Sequence, residues 1–318
     1  MKAAIYSEPG GPDVLHYGDV RDPVPAAGEV LVRVEAISIE GGDLVNRRLT
    51  RQGENEVVGY AAAGTIAALG EGVDGLSVGE RVATFAWKGS HAELTAVPAA
   101  HCFKVPDGLD IALASTIIVG PGTAAYALHL GALEAGQTVL VLGASGGVGL
   151  AAVQLAAKAG ARVIGTGTKP ESLEKLKGFG LSDAIVTADK PASEQVRALL
   201  DGEGVDLIID NIGGDALIDA LKVLKDGGKA VLIGVFGGSS TMIDAGQLLK
   251  HRHTVIGCLL GAAMRDPEPR KLVEALFPMA RDGGIRLPID ATFPLSQANA
   301  AHRRAEERGR IGRVIMTV

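Results

Sequence analysis

Cysteine is almost missing from this 318-residue sequence, which has only Cys102 and Cys258. Two thiols so far apart make no metal-binding cluster. The opening MKAAIYSEPGG has no apolar core of the kind a signal peptide needs. A cytoplasmic setting is therefore expected, and there a disulfide between the two is not. Long hydrophobic runs are missing too. Glycines and polar residues break each apolar stretch before the ~20 residues that a spanning helix requires, so no membrane segment is expected. An excess of positive charge is also lacking. The formal charge is −6, and the basic runs stop at Arg47-Arg48 and Arg303-Arg304. That balance argues against a nucleic-acid surface.

What is abundant is glycine, 44 residues, or about 14% against an ordinary ~7%. No low-complexity tract holds it, so it marks turns between short elements. Hydrophobic residues at 47% and charged residues at 21% fit a globular chain long enough for two domains. The first third reads as all-β. Short β-branched or alternating runs occur at Lys2–Tyr6, Glu29–Ile37, Gly64–Leu69, Arg81–Phe85 and Ala92–Pro98. Gly and Pro clusters separate them, and such spacing suggests a barrel-like domain.

Near Ser115 the pattern changes. Ile111–Leu130 reads as one or two helices interrupted at Gly120-Pro121-Gly122. From Thr138 strands and helices alternate. Strand-like runs are Thr138–Leu142, Arg162–Gly165, Ala184–Val186, Val205–Asp210, Ala230–Gly234 and Thr254–Cys258. Helix-like segments fill the gaps at Gly147–Ala159, Pro170–Lys177, Ser193–Leu200, Ala216–Leu224 and Met242–Lys250. Leu217, Ala220, Leu221 and Leu224 have the spacing of one buried helical face. Pro170 suits a first helical turn, and Gly178 or Gly180 can end that helix. Six strands with helical crossovers predict an α/β fold with a parallel, doubly wound sheet. After Gly261 the alternation stops. A helix near Glu268–Ala280 and a last strand Arg313–Val318 return the tail to the first domain.

The stretch Gly143-Ala144-Ser145-Gly146-Gly147-Val148-Gly149 sits between the first of those strands and a helix. That is the setting of a dinucleotide fingerprint. The G-x-G-x-x-G frame falls on 144, 146 and 149, with Ala144 in first place. Gly146 lets backbone approach a pyrophosphate, Gly149 lets helix and strand pack closely, and the helix-start N–H groups bind phosphate. NAD sites place Asp or Glu about 20 residues on, against the ribose 2′-hydroxyl. Here Ile164-Gly165-Thr166-Gly167-Thr168-Lys169 has no carboxylate. Small residues leave room, hydroxyls can donate and Lys169 adds positive charge, so the expected cofactor is NADPH. The alternative is that Lys169 is a solvated lysine at a helix start.

With these motifs the chain resembles the zinc-free quinone oxidoreductase (zeta-crystallin-like) family of the medium-chain dehydrogenases/reductases. The resemblance runs over nearly its whole length. MKAAIYSEPGGPDVL, GEVLVRVEAISIEGGDL, GEGVDGLSVGERV, HAELTAVPA, GASGGVGLAAVQLAAKAGARVIGT, VDLIIDNIGG and GRIGRVIMTV carry it. It implies a GroES-like β-barrel domain, residues 1–118 and 260–318, split around a Rossmann domain, residues 119–259, with the active site in the cleft between them. Zinc-dependent relatives have a Gly-His-Glu ligand motif where Val58-Gly59-Tyr60-Ala61 stands. No Cys lies near Ser38–Asp43, and Phe85–Val105 lacks a four-cysteine lobe. His251 and His253 are close, but on a solvated edge leading into a strand. No metal is expected.

Reduction of an electron-poor acceptor needs little beyond proximity and a few hydrogen bonds, because the cofactor supplies the chemistry. The expected reaction is hydride transfer from NADPH to a quinone or an α,β-unsaturated carbonyl. Two alternatives stand beside it: an enoyl-thioester reductase, and an NADPH-binding protein without turnover. By resemblance the nicotinamide end meets the Gly120–Thr123 turn, Asn211, Gly234, Val235, Phe236, and Leu259 and Leu260 up to Gly261. Ser145–Gly149 takes the diphosphate. Gly167, Thr168 and Lys169, with Arg308 or Arg310, take the adenosine phosphate. The acceptor pocket draws on Ser38–Asp43, Asn46, Tyr60 and Trp87. Glu40 stands where relatives often have Asn. It is a proton relay, a holder of the nicotinamide ribose, or an exposed loop carboxylate. Tyr60 either donates to the reduced oxygen or packs with its hydroxyl in solvent. Resemblance also implies a homodimer joined through the edge strand Thr254–Cys258.

Overall fold

The computed structural model describes residues 1–54 and 56–318. The chain divides into two compact units. One is Met1–Gly122, Gly261–Glu307 and Gly312–Val318; the other is Thr123–Leu260 with Arg308–Ile311. In chain order the strands are β1 Lys2–Ile5, β2 His16–Asp19, β3 Glu29–Ser38, β4 Ala61–Leu69, β5 Arg81–Phe85, β6 Leu94–Pro98, β7 Cys102–Lys104, β8 Thr138–Leu142, β9 Arg162–Gly167, β10 Asp183–Val186, β11 Val205–Asp210, β12 Leu224–Leu232, β13 Thr254–Gly257, β14 Ile289–Pro294 and β15 Arg313–Thr317.

The second unit is built on a six-stranded sheet in the order β10-β9-β8-β11-β12-β13. Every neighbouring pair is parallel. This is the doubly wound order, reversing beside its first strand, β8. A parallel strand with helices over both faces must be apolar on both, and β8 is buried from Val139 to Leu142. Leu140, Ile164, Ile208, Val196 and Leu217 form the core of this unit. Register sets the strand ends level: Asp210 lies beside both Leu142 and Leu232, and Leu232 beside Gly257. The loops leaving β8, β11, β12 and β13 therefore emerge along one edge.

Three local readings change. The helix expected over Ala216–Leu224 ends at Leu221, and Leu224 opens β12. The strand expected over Ala230–Gly234 spans Leu224–Leu232, and its register with β11 shifts between Val205 and Leu207, opposite Lys225-Asp226-Gly227-Gly228. The helix expected over Met242–Lys250 spans Ala245–His251, because the Asp244 carboxylate accepts the Gly246 N–H at 2.8 Å and fixes its start. His251 thus closes a helix rather than leading into a strand, and its Nδ1 lies 2.8 Å from Asp226 Oδ1.

In the first unit a seven-stranded sheet runs β14-β15-β3-β4-β5-β7, with β6 also on β3. The ten-residue β3 bends at two irregularities, Leu31/Val32 and Val34/Ala36. Its first half pairs with β6 and its last residues with β15. Bulges of this kind coil a sheet toward barrel form. The short β2, β7 and β14 carry too little apolar alternation to announce themselves.

A buried polar chain ties the C-terminal helix Ala298–Glu306 to helix Gly41–Leu49 and to the segment before β6. Arg47 is fully buried; it donates to His302 Nδ1 at 3.0 Å and pairs with Glu306. Arginine can only donate, so His302 carries its proton on Nε2 and passes it toward His91 Nε2, 2.9 Å away. His91 Nδ1 then faces Ser90 Oγ at 3.1 Å. Burial holds the His91 pKa down to about 3. Burial, then His91 and Arg47, hold His302 well below 6.5. The unfolded chain takes up protons at these rings near pH 6.5 and the folded chain does not. Stability should therefore fall as pH drops from 6.5 toward 3, by up to about 1.4 kcal/mol per pH unit for each ring. Burial raises the carboxyl pKa of Asp43 and Asp210, which acts in the opposite sense. An imidazole NMR titration isolates the histidines: the His91 and His302 signals should stay neutral down to pH 5.

Candidate functional site

In the second unit the turn after β8 is shaped by two glycines with no room for a side chain. Gly143 has φ +68°, the left-handed region that favours glycine. Its N–H donates to the Thr166 hydroxyl at 3.2 Å, and the Ala144 N–H donates to the Thr166 carbonyl at 2.9 Å. The turn is thereby stapled to β9. A Cβ on Gly149 would stand 2.3 Å from the Gly143 carbonyl oxygen, so helix Gly147–Lys158 can start this close to the sheet only over a bare residue. Gly146, its N-cap, differs. Its backbone is extended, and a Cβ would meet nothing nearer than 3.4 Å. The chain leaves that space open. No side chain caps the helix, so the first-turn N–H groups of Gly147, Val148 and Gly149 lack intrahelical partners. Ser145 lies in the same turn. This cradle fits an anionic group against main chain.

The other expected cofactor residues follow the level strand ends. After β11, Asn211 Nδ2 donates to the Leu142 carbonyl at 2.9 Å, while its Oδ1 is buried without a hydrogen-bond partner. After β12, a Cβ on Gly234 would lie 2.1 Å from the Asn211 carbonyl oxygen. Val235 and Phe236 follow, both large, apolar and exposed. After β13, Cys258 Sγ lies 4.0 Å from the Thr123 carbonyl. Leu259 is exposed and Leu260 buried. The unit thus brings Thr123, Ser145–Gly149, Asn211, Gly234–Phe236 and Leu259–Leu260 to one edge of the sheet, where open α/β sheets bind ligands.

At the end of β9, Gly167 and Thr168 lead to Lys169, the N-cap of helix Pro170–Lys177. The tail segment Arg308–Ile311 packs with this unit. Ser172 Oγ donates to the Gly309 carbonyl at 3.0 Å, which carries Arg308 and Arg310 to the neighbourhood of Lys169.

In the first unit Glu40 is 1% exposed, which overturns the exposed-loop alternative. It accepts from Ser38 Oγ at 2.7 Å and pairs with Arg313 at 2.5 Å. Glu40 caps helix Gly41–Leu49, and its N–H donates to Asp43 Oδ2 at 2.8 Å. Burial, opposed by the hydrogen bond from the Glu40 amide, raises the Asp43 pKa well above 3.8. Tyr60 is half-buried and meets Phe85 and Trp87 edge-on, at 5.9 and 5.6 Å between centroids. Trp87 is 47% exposed. A Cβ on Gly261 would lie 2.6 Å from Phe85 and 2.7 Å from Trp87. Among the described residues, no three His, Cys, Asp or Glu side chains gather where they could hold a metal ion.

Two family profiles match the chain: an alcohol dehydrogenase GroES-like domain over residues 26–107 and a zinc-binding dehydrogenase over 147–277. A 2-haloacrylate reductase from Burkholderia is 31% identical over 329 residues, covering 99% of this chain and 98% of its own. A quinone oxidoreductase from Pseudomonas aeruginosa is 30% identical, with 96% of each chain covered. The chain belongs to the zinc-free quinone oxidoreductase family of medium-chain dehydrogenases/reductases. A mycobacterial protein of known structure, solved with NADPH, aligns over all of both chains at TM-score 0.92 and 31% identity. Two further relatives are far longer. This chain spans 13% of a highly reducing polyketide synthase from Aspergillus ruber and 15% of a mycocerosic acid synthase-like polyketide synthase from Mycobacterium tuberculosis.

For this quinone oxidoreductase family chain, sequence reading missed Gly143 and Thr166. The fingerprint frame put Ala144 in the tight-turn place, but the left-handed residue is the glycine before it. The signal was a glycine ending an apolar strand. Removing the two kinds of glycine should separate their roles. Gly149→Ala should cost about 1–3 kcal/mol by overpacking and lower the melting temperature by several degrees. Gly146→Ala should leave it within about a degree, since its space is open. Thermal unfolding of both variants checks this.

Proposed function

We propose that this chain is an NADPH-dependent, zinc-independent reductase of quinones or α,β-unsaturated carbonyls. The main support is the end of β9. Where a ribose-binding carboxylate would stand, the chain has Gly167-Thr168-Lys169, beside the segment that carries Arg308 and Arg310. That neighbourhood suits a 2′-phosphate. The relatives agree: a 2-haloacrylate reductase, a quinone oxidoreductase and a protein solved with NADPH.

Bound NADPH would supply the hydride. The chain's own residues bind and orient. The amides of Gly147–Gly149 would receive the diphosphate over the open Gly146. Thr123, Asn211, Gly234 and the apolar Val235, Phe236, Leu259 and Leu260 would hold the nicotinamide end, and the apolar side chains keep water off it. Asn211 offers a buried oxygen still in need of a donor. Lys169 and Arg310 would take the 2′-phosphate. For the acceptor, Tyr60 is favoured to donate a hydrogen bond to the oxygen that gains charge. Glu40, buried against Arg313, would act by fixing the start of the helix that holds Tyr60.

A second reading, enoyl-thioester reduction, is favoured by the match of 98% of this chain to a stretch of a polyketide synthase. A homodimer is part of the proposal. β13 ends the parallel sheet with Val255 and Ile256 only partly covered, an edge open to pairing with a second copy. Two buried free cysteines suit a reducing, cytoplasmic setting.

NADPH oxidation should be seen with quinones or enones and be weaker with enoyl thioesters. The opposite ranking would favour the second reading, and tight binding without turnover a binding protein. Lys169→Glu should weaken NADPH by at least about tenfold and leave NADH nearly unchanged; equal loss for both would remove the 2′-phosphate assignment. Sedimentation at micromolar concentration should give twice the 32.5 kDa chain mass.

A further inference from the structure

Helix Gly41–Leu49 holds Tyr60 at two points. A Cβ on Gly42 would lie 2.1 Å from the Tyr60 ring, so the ring lies in a slot cut by that glycine. One turn on, and on the same helix face, Asn46 Nδ2 donates to the Tyr60 hydroxyl oxygen at 3.1 Å. Between them, the charge of the buried Asp43 carboxylate bears on Tyr60. The main chain of Asn46 is held in turn: the Tyr6 hydroxyl donates to the Asn46 backbone carbonyl at 3.1 Å, and Gln52 Nε2 donates to the Tyr6 hydroxyl at 3.2 Å. The edges of Phe85 and Trp87 close the slot.

An amide NH2 can only donate. With its oxygen engaged that way, Tyr60 retains its single proton, and among the described residues no acceptor takes it. We infer that Asn46 is a positioning residue: by donating to the Tyr60 oxygen it leaves the phenolic proton for a substrate carbonyl oxygen, making Tyr60 a one-way hydrogen-bond donor. The inference rests on the reductase reading. When hydride adds to a quinone or enone carbon from NADPH, which leaves as NADP+, the electron pair moves onto the carbonyl oxygen. Tyr60 stabilises that oxygen, and one solvent proton completes the product. Burial, then the charge of Asp43, raises the Tyr60 pKa above its ordinary 10.0, so the phenol keeps its proton.

Asn46→Asp is the sharpest test, because the same shape then presents an acceptor and turns the Tyr60 proton inward. Asn46→Leu removes the donor without replacing it. With the better of the quinone or enone acceptors, Tyr60→Phe should lower kcat on the order of 100-fold. Asn46→Asp should approach that loss with NADPH Kd unchanged within about twofold, and Asn46→Leu should lose less. The Asn46→Asp/Tyr60→Phe double variant should be no slower than Tyr60→Phe. In the ligand-free protein, which has four tyrosines, ultraviolet titration against Tyr60→Phe reports the Tyr60 phenol alone. That titration should move to higher pH in Asn46→Leu and further in Asn46→Asp. Native kcat in Asn46→Asp, multiplying losses in the double variant, or an unmoved Tyr60 titration in either folded variant would overturn the assignment. Native protein that reduces no acceptor would instead sink the reductase reading, and the ligand-free titration would still judge Asn46.

Discussion

The contact between Gly149 and the Gly143 carbonyl is the constraint on which the second unit depends. A helix following a parallel strand must turn back over the sheet within a few residues. Here it does so at a separation that excludes a single methyl group. That closeness aims the helix start along the carboxyl ends of the strands. The level register of Leu142, Asp210, Leu232 and Gly257 then puts four loops beside it. The unpaired amides of the helix start and the apolar side chains of the later loops share one edge because the backbone there is bare.

Much of this is legible in the sequence. The six alternating segments give a doubly wound sheet because parallel strands must be apolar on both faces, and that composition survives in Thr138–Leu142 and Val205–Asp210. Pro170 and Gly178 bound their helix as their chemistry dictates. Less legible was anything set by tertiary register. Lys225-Asp226-Gly227-Gly228 has turn composition, yet it interrupts β12 only as an irregularity, because the pairing with β11 resumes beyond it at Leu207 and Lys229. The staple from Thr166 to the glycine turn is a contact 23 residues long in sequence, invisible to local pattern.

The first unit shows the same limit at its polar residues. Glu40 carries a charge and follows a strand, which locally suggests solvent. Its burial is decided by Arg313, far along the chain, which returns beside β3 on β15. Breaking a buried pair of this kind leaves an uncompensated charge, so each partner depends on the other to remain inside. The Arg47–His302–His91 chain follows the same logic: a fixed cation settles where each hydrogen sits on two neutral rings. In both cases residues distant in sequence, meeting across β-strands and the C-terminal helix, determine what a side chain does.

The four residues Arg308–Ile311 leave the first unit, pack with the second through Ser172, and return before β15. Neither unit is therefore a continuous piece of polypeptide. Cutting the gene at 123 and 260 would release a fragment lacking a short peptide that folds with it, and would strand the Ser172 hydroxyl. Swapping this nucleotide-binding half into another chain would require moving the downstream tetrapeptide as well, so recombination between relatives should tolerate whole-length exchange better than exchange of the half alone.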